Sequence, residues 1–266
     1  MKKSDYLSTA IEAAKLGGSI LIKRMRSKAR QMVDRKLRFD FVTEVDHESE
    51  KAIIDFILKR HPDHQILAEE SGGIRETTTY RWIIDPLDGT KNYIHGFPMF
   101  AVSIALMYGK EILVGVVLDP IRNELFHAER GKGAYLNNQS IHVSNTTDLS
   151  LCLLATGFPF RAKHLTRPYF DAFIELFHKV SDFRRAGAAS LDLAYLACGR
   201  LDGFWEITLN PWDVTAGTLL IEEAGGKVTD IWGGNMHLTT GHIAASNGLI
   251  HEEIVKVVGA VFKNLL

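Results

Sequence analysis

Leu7, Ala10, Ile11, Ala14, Ile20 and Leu21 recur at helical spacing near the start of the chain. They put one apolar stripe on a predicted amphipathic helix, with Ser4 as its candidate N-cap. A basic, polar stretch follows, "RSKARQMVDRKLRFDFVTEVD", which reads as part hairpin and part loop. Ile53, Ile54, Ile57 and Leu58 then share one face of a second predicted helix, 47–60, which "HPDH" ends. His61 and His64 have metal-like spacing there, yet no helix presents them together and no third ligand is near, so they read as a solvated loop.

The middle of the chain changes period. "QILAEE", "RWIID", "FAVSIALMYG", "EILVGVVLDP" and "ELFHAERG" are short apolar or alternating runs punctuated by Gly, Pro and Asn, the pattern of strands. A helical pattern returns over 164–181 and again in "SLDLAYLACGR", closed by Gly199. "DGFWEI" predicts a short strand. "NPWDVTAGTLLIEEAGG" opens a helix at Asn210-Pro211 and stops it at Gly225-Gly226. Strand-like runs and a last helix over 251–263 complete the chain. Helices and strands come in blocks, which predicts a layered α+β architecture over a strict βαβ winding. No repeat, low-complexity tract or linker divides the 266 residues, so a single domain over 1–266 is expected.

Composition narrows the function classes. The chain is 46% hydrophobic and 24% charged, with a formal net charge of -1. That balance argues against a nucleic-acid backbone or an anionic membrane as partner. Cys152 and Cys198 lie in apolar or helical runs and read as packed hydrophobes, consistent with a reduced, cytoplasmic protein. The basic N-terminus lacks the uninterrupted apolar core of a signal peptide. No stretch approaches the roughly 18 apolar residues of a membrane span.

The chemistry sits where strands end and helices begin. Glu69 and Glu70 end "QILAEE", Asp85 ends "RWIID", and Asp88 lies three residues on across a predicted turn. Asp213 falls in the first turn of a helix, and Asp46 follows "FVTEV". Carboxylates converging at such a place need a counter-charge, and Mg²⁺ prefers oxygen ligands. The Leu87 carbonyl could add another oxygen. Gly89 and Thr90 offer backbone N–H groups for a phosphate, and Thr90 could orient a water with Glu69 or Asp46 as proton partner. Each feature alone has a plainer reading: a turn rich in Asp, Pro and Gly, a solvated strand end, a helix-start acid. Their coincidence in one chain favours metal-assisted phosphate-ester hydrolysis by water. The D-x-D spacing of haloacid-dehalogenase-type phosphatases does not fit, because the acids here are three residues apart.

Together these residues resemble the inositol monophosphatase family. "DPLDGTKNYIHGFPMFAVSIAL" is similar to its first signature and "PWDVTAGTLLIEEAGGKVTD" to its second. "LAEESGG" and "FVTEVD" resemble its metal-glutamate and early aspartate segments, and "NELF", "ATGFPF" and "LDLAYLACGRLDGFWE" its bacterial branch. The resemblance implies a five-layered α-β-α-β-α sandwich, a homodimer, and a lithium-sensitive enzyme with two to three Mg²⁺ per site. By the same resemblance Glu69, Asp85 and the Leu87 carbonyl would hold one ion, and Asp85, Asp88 and Asp213 a second. Glu69 with waters would hold a loose third, with Asp46 supporting that water network. Thr90 would help activate the water, Gly89 and Thr90 amides would bind phosphate, and Asp88, Ala189 and Glu206 would face the inositol ring. Lys36 would match a loop lysine near the phosphate.

Two segments depart from the family pattern. "RKLRFD" carries Leu37, Arg38 and Phe39 where small residues are usual, and "RAGAAS" leaves Ala188 without a hydroxyl. The expected substrate is an inositol monophosphate or a similar small phosphate monoester. Fructose 1,6-bisphosphate, histidinol phosphate and 3'-phosphoadenosine 5'-phosphate are the alternatives from related enzymes. A regulatory binding protein with a transcription partner is the alternative from another class.

Overall fold

The computed structural model describes residues 5–26, 33–37, 40–73, 79–263 and 265; the side chains of residues 26 and 33–42 lie outside the described part. Two helices, α1 (Tyr6–Arg26) and α2 (Glu44–Arg60), flank a ribbon of β1 (Val33–Leu37) and β2 (Asp40–Thr43). Then come β3 (Gln65–Ala68), β4 (Gly72–Gly73), β5 (Tyr80–Asp88), the short α3 (Thr90–His95), β6 (Ala101–Tyr108), β7 (Glu111–Asp119), β8 (Glu124–Glu129), β9 (Ala134–Leu136) and β10 (Gln139–Ile141). The second half runs β11 (Leu153–Thr156), α4 (Thr166–Phe177), β12 (Asp182–Arg184), α5 (Ala189–Ala197), β13 (Gly203–Glu206), α6 (Pro211–Glu223), β14 (Lys227–Thr229), α7 (His237–Thr240), β15 (Ile243–Ser246) and α8 (His251–Phe262).

Among the described residues the larger sheet has the order β10-β9-β8-β7-β6-β5-β3-β4, and the smaller one β12-β11-β13-β15-β14. In the larger sheet β3 and β5 run parallel and the other neighbours antiparallel. Three apolar clusters separate five layers. One joins α1 and α2 to the outer face of the larger sheet through residues such as Ile53, Trp82, Ile84 and Ile104. The second lies between the two sheets, around α5 and α6, with Ile83, Leu193, Leu219 and Phe204. The third packs α4 and α8 on the far face of the smaller sheet, with Tyr169, Trp205 and Phe262. This is an α-β-α-β-α sandwich, the α+β layering expected from the blocked pattern.

Strand β5 differs from the sequence reading in a way that builds the site. Asp88 does not lie across a turn; the strand runs on through it. Asp85 pairs with Ser103 and Asp88 with Ala101, so β5 spends three steps where β6 spends two, a one-residue bulge. Residues three apart on a regular strand point to opposite faces. The bulge cancels that parity. Trp82, Ile84 and Leu87 all pack in the outer cluster, whereas Ile83 packs in the inner one. Asp85 and Asp88 are therefore delivered together to the inner side. Pro86 suits the place, since it has no N–H to donate to the broken ladder.

The helices start a little earlier or later than the apolar pattern suggests, because their caps are polar. Thr43 caps α2, with Val45 N and Asp46 N donating to its hydroxyl at 3.2 and 3.4 Å. His61 and His64 are the larger correction. They are half-buried and stack at 4.8 Å, with Tyr6, Tyr80 and Trp82 around them. The Trp82 indole N–H donates to His64 Nδ1 at 3.0 Å. An otherwise buried indole needs that acceptor, and burial pushes His64 down to about 4.

Close contact between layers sets how near α6 lies to the larger sheet. A β-carbon on Gly115 of β7 would lie 2.7 Å from the Ala216 carbonyl oxygen of α6. Gly115→Val should lower the unfolding free energy by about 1–3 kcal/mol, the usual cost of overpacking. Urea unfolding followed by circular dichroism measures it; an unchanged midpoint would show that the helix does not need this approach.

Candidate active site

A cleft opens where the bulge of β5 meets the first turns of α3, α5 and α6. Glu69, Asp85, Leu87, Asp88, Gly89, Thr90, Ala189, Glu206 and Asp213, all expected from the sequence, line it. One oxygen from each of Asp85, Asp88 and Asp213 falls within 4.8 Å of the others. Glu69 follows β3 directly and stands at the edge of this group. Its neighbour Glu70 does not line the cleft.

Each aspartate is aimed by a backbone N–H. Leu87 N donates to Asp85 Oδ1 at 3.0 Å, within the bulge. Ser190 donates to Asp88 Oδ2 from its backbone at 2.8 Å and its hydroxyl at 2.6 Å. Asn210 N donates to Asp213 Oδ2 at 2.7 Å, where Pro211 opens α6. The turn that carries Glu69 is held from below: Glu70 N and Ser71 N donate to the buried Glu50 carboxylate at 2.8 and 2.9 Å.

Asp46 does not line the cleft but reaches it through Thr90. Its Oδ2 accepts from Thr43 N at 2.8 Å and from the Thr43 hydroxyl, closing the capping box of α2. Its Oδ1 faces the Thr90 hydroxyl at 3.3 Å, and that hydroxyl is also 3.1 Å from the Leu87 carbonyl. Gly89 turns the chain from β5 into α3 with φ at 91°, and a β-carbon there would strike the Met99 carbonyl at 2.8 Å. Lys36 belongs to β1, and its side chain lies outside the described residues.

The smaller sheet supplies the opposite wall. Glu206 ends β13, and Gly157 gives it room, since a β-carbon at 157 would sit 2.1 Å from the carboxylate oxygens. Sequence reasoning missed several residues. Ser190, two residues beyond Ala188 in "RAGAAS", puts its hydroxyl on Asp88. Asn92 ties α3 to the other half of the chain, donating to the Met99 carbonyl at 2.7 Å and the Ala186 carbonyl at 2.9 Å. Asp192, Lys91, Phe160, Arg161 and Arg185 also line the cleft. An acid in the first turn of an otherwise apolar helix was the visible signal for Asp192; nothing in the local sequence marked the others.

Electrostatics follow from this crowding. Burial, then repulsion from Glu69, Asp88 and Asp213, pushes Asp85 well above the ordinary carboxylate range. Burial pushes Asp88 up to about 6 against the pull of its Ser190 bonds. Burial pushes Asp213 up to about 7, with Arg161 pulling the other way. Glu206 is pushed well up by burial and then by Asp192, and Asp192 by burial and then by Asp88. A protein interior tolerates such a set when cations neutralise it. Clustered carboxylate oxygens with a backbone carbonyl beside them are the donor set of a hard divalent ion.

Comparison with known proteins identifies the family. The sequence model of the inositol monophosphatase family matches residues 2–261. "Nus factor SuhB" of Escherichia coli K12 is 48% identical over 242 residues, 91% of either chain. The crystal structure of extragenic suppressor protein suhB from Bartonella henselae superposes with a TM-score of 0.91 at 40% identity, covering 96% of this chain and 98% of that one. Inositol monophosphatase from Anabaena superposes at 0.86 with 41% identity, covering 96% and 95%. With its family model, relatives and layered fold in agreement from end to end, the chain belongs to the inositol monophosphatase family.

Proposed function

We propose that this protein is a Mg²⁺-dependent phosphatase that hydrolyses inositol monophosphates and similar small phosphate monoesters. The observation that carries the reading is the trio of clustered carboxylate oxygens from Asp85, Asp88 and Asp213 beside the Thr90–Asp46 pair. Glu69, Asp85, the Leu87 carbonyl, Asp88 and Asp213 would hold two to three Mg²⁺. When bound, these ions neutralise the carboxylates and polarise the phosphoryl oxygens. Family membership and the Anabaena relative named an inositol monophosphatase support the substrate class.

The chain's own residues do the rest. Thr90 Oγ1 receives the attacking water through a lone pair, because its proton is directed to Asp46 Oδ1 or the Leu87 carbonyl. As the water oxygen bonds to phosphorus, its proton moves to Thr90 and the Thr90 proton moves to Asp46. The ester P–O bond breaks, the alkoxide takes a proton from a second water, and the hydroxide so formed takes up the proton held on Asp46. Gly89 and Thr90 N–H groups bind the phosphoryl oxygens, with Lys36 near them. Asp88, Ala189 and Glu206 face the hydroxyls of the alcohol. Because residues of both sheets build this one cleft, we treat 1–266 as a single domain, and we expect it to work in the cytoplasm as a homodimer. Among the described residues no helix is long and apolar enough to cross a membrane.

Relatives named Nus factors favour a second role in which a transcription-machinery partner binds the folded protein. The two readings separate cleanly, since Asp88→Asn removes a metal charge at nearly constant volume.

Phosphate release from inositol 1-phosphate should depend on Mg²⁺ and exceed release from histidinol phosphate and 3'-phosphoadenosine 5'-phosphate. Asp88→Asn should lower turnover on the order of a hundredfold or more. Metal-independent release, or a variant near wild-type rate, would sink the assignment. A catalytically dead Asp88→Asn chain that rescues a deletion strain would establish the second role; failure to rescue would tie the phenotype to catalysis.

Stability should also depend on pH. Asp88 and Asp213 bind protons in the fold up to about 6 and about 7, whereas the unfolded carboxyls lose them near ~4. Between those values the native state holds more protons, so stability falls as pH rises through this window. In chelator, Tm should drop from pH 4.5 to pH 8, and Mg²⁺ should restore it at the alkaline end. A flat Tm in chelator, or no Mg²⁺ effect, would contradict this account.

A further inference from the structure

Helix α2 buries a polar stripe behind the site. Asp46, Ser49 and Glu50 stand at positions i, i+3 and i+4, on one face of the helix, and all three are buried. None of them lines the cleft, yet each holds a different part of its frame. Asp46 takes the Thr90 hydroxyl. Ser49 Oγ donates to the Pro86 carbonyl at 3.2 Å, inside the bulge between Asp85 and Asp88. Glu50 takes the two backbone N–H groups that follow Glu69, Glu70 N on one oxygen and Ser71 N on the other. Helix α1 leaves this stripe no room to withdraw, since a β-carbon on Gly17 would lie 2.9 Å from Ser49 Oγ and 2.7 Å from Ile53 Cδ1.

Glu69 depends on such support more than the aspartates do. Asp85 and Asp88 ride on β5 and Asp213 in α6, whereas Glu69 sits in the link 69–71 between β3 and the two-residue β4. Its N–H reaches the Ile84 carbonyl at 3.1 Å, which fixes the start of the link. The Glu70 N–H belongs to the peptide plane that leaves Glu69, so the first Glu50 bond fixes that plane. The Ser71 bond fixes the next one. Together they define the backbone from which the Glu69 side chain departs. A buried charge is costly unless it is hydrogen-bonded, and a carboxylate here accepts on both oxygens with charge-assisted strength. Glutamine at 50 would keep one acceptor oxygen and turn its own N–H against the second donor.

We infer that Glu50 is a positioning residue for Glu69. It sets the Glu69 link from the same stripe that steadies Thr90 and the β5 bulge, so one turn of α2 keeps Glu69 in register with Asp85 and Asp88. Cation binding at Glu69 then depends on a side chain outside the cleft. This rests on the metal-dependent reading of the site and adds a residue to it. Outer partners that orient a metal ligand change metal affinity by roughly 10- to 100-fold.

Calorimetric titration of the metal-free full chain with Mg²⁺ tests this without substrate or turnover. Glu50→Gln should weaken Mg²⁺ binding roughly tenfold or more. Ile57→Val, on the same helix and in the outer apolar cluster, should lower Tm but leave Mg²⁺ affinity within about twofold. Glu69→Gln should also weaken binding. Adding Glu50→Gln to it should cost less than about twofold more, because Glu50 acts through Glu69. Near-ultraviolet circular dichroism establishes that each variant is folded. If Glu50→Gln does not fold, Glu50→Asp replaces it with the same expectation, since it keeps the charge but falls one methylene short. Wild-type Mg²⁺ affinity in the folded Glu50 variant overturns the inference. So does an equal loss in Ile57→Val, or an additive loss in the double variant. Failure of both Glu50 variants to fold makes the residue a part of the fold alone and overturns it too. Absence of Mg²⁺ binding to the wild type overturns the metal reading together with the inference.

Discussion

Like charges repel, and the repulsion grows when water is removed. In this protein Asp85, Asp88, Asp213 and Glu206 are held within one cleft, almost wholly buried apart from the partly exposed Asp88. Coulomb's law makes that arrangement unfavourable in any low-dielectric setting. The surrounding architecture supplies the force that keeps it together. Each aspartate accepts from a backbone N–H on a rigid element: Asp85 in the bulge, Asp88 from α5, Asp213 from the cap of α6. These elements are clamped in turn by the apolar cluster between the sheets. The hydrophobic layers therefore offset a cost incurred at the site, and a bound cation would remove it.

The two capping boxes show how economically this is done. Asp46 and Asp213 both occupy the third position of a helix and accept from the N-cap backbone N–H. That bond is a stabilising feature of helix starts in general. Here it also orients the carboxylates, one towards Thr90 and the other towards Asp85 and Asp88. A single local interaction thus sets both where the helix begins and which way a functional oxygen points. Preorganisation of this sort matters for catalysis because the groups need not reorient as charge develops.

Much of this was legible in the sequence. The acids stood at strand ends and helix starts, and Asn210-Pro211 with Asp213 three residues after the cap is a helix-start signature whatever the tertiary fold. The layered architecture followed from runs of strand-like and helix-like pattern. The bulge was not legible, because a strand pattern ending in D-P-L-D reads equally well as a turn. Pairing with Ser103 and Ala101 decides between them, and pairing is a tertiary fact. Ser190, Asn92 and Glu50 were missed for a related reason: each acts on a segment remote in sequence, with Ser190 meeting Asp88 across 102 positions. His61 and His64 misled in the other direction. Polar residues after a helix suggest solvent, but a neutral imidazole is also a good acceptor for a buried indole, and Trp82 takes that option.

The cleft's two walls come from different halves of the chain, and this limits how its parts can vary. The larger sheet contributes the metal-type carboxylates and Thr90; the smaller one contributes Glu206 and the loops bearing Phe160, Arg161 and Arg185. Asn92 bridges them by donating to carbonyls on both sides. Residues on the first wall are locked by bulge geometry and capping bonds, so a change there disturbs helix starts as well as chemistry. Arg161 and Arg185 sit on loops, held by ring contacts that tolerate small shifts. On the proposed phosphatase reading, substrate preference can therefore change on the second wall without rebuilding the first, since the reacting phosphate group would meet the rigid wall and the distinctive part of the alcohol the adaptable one.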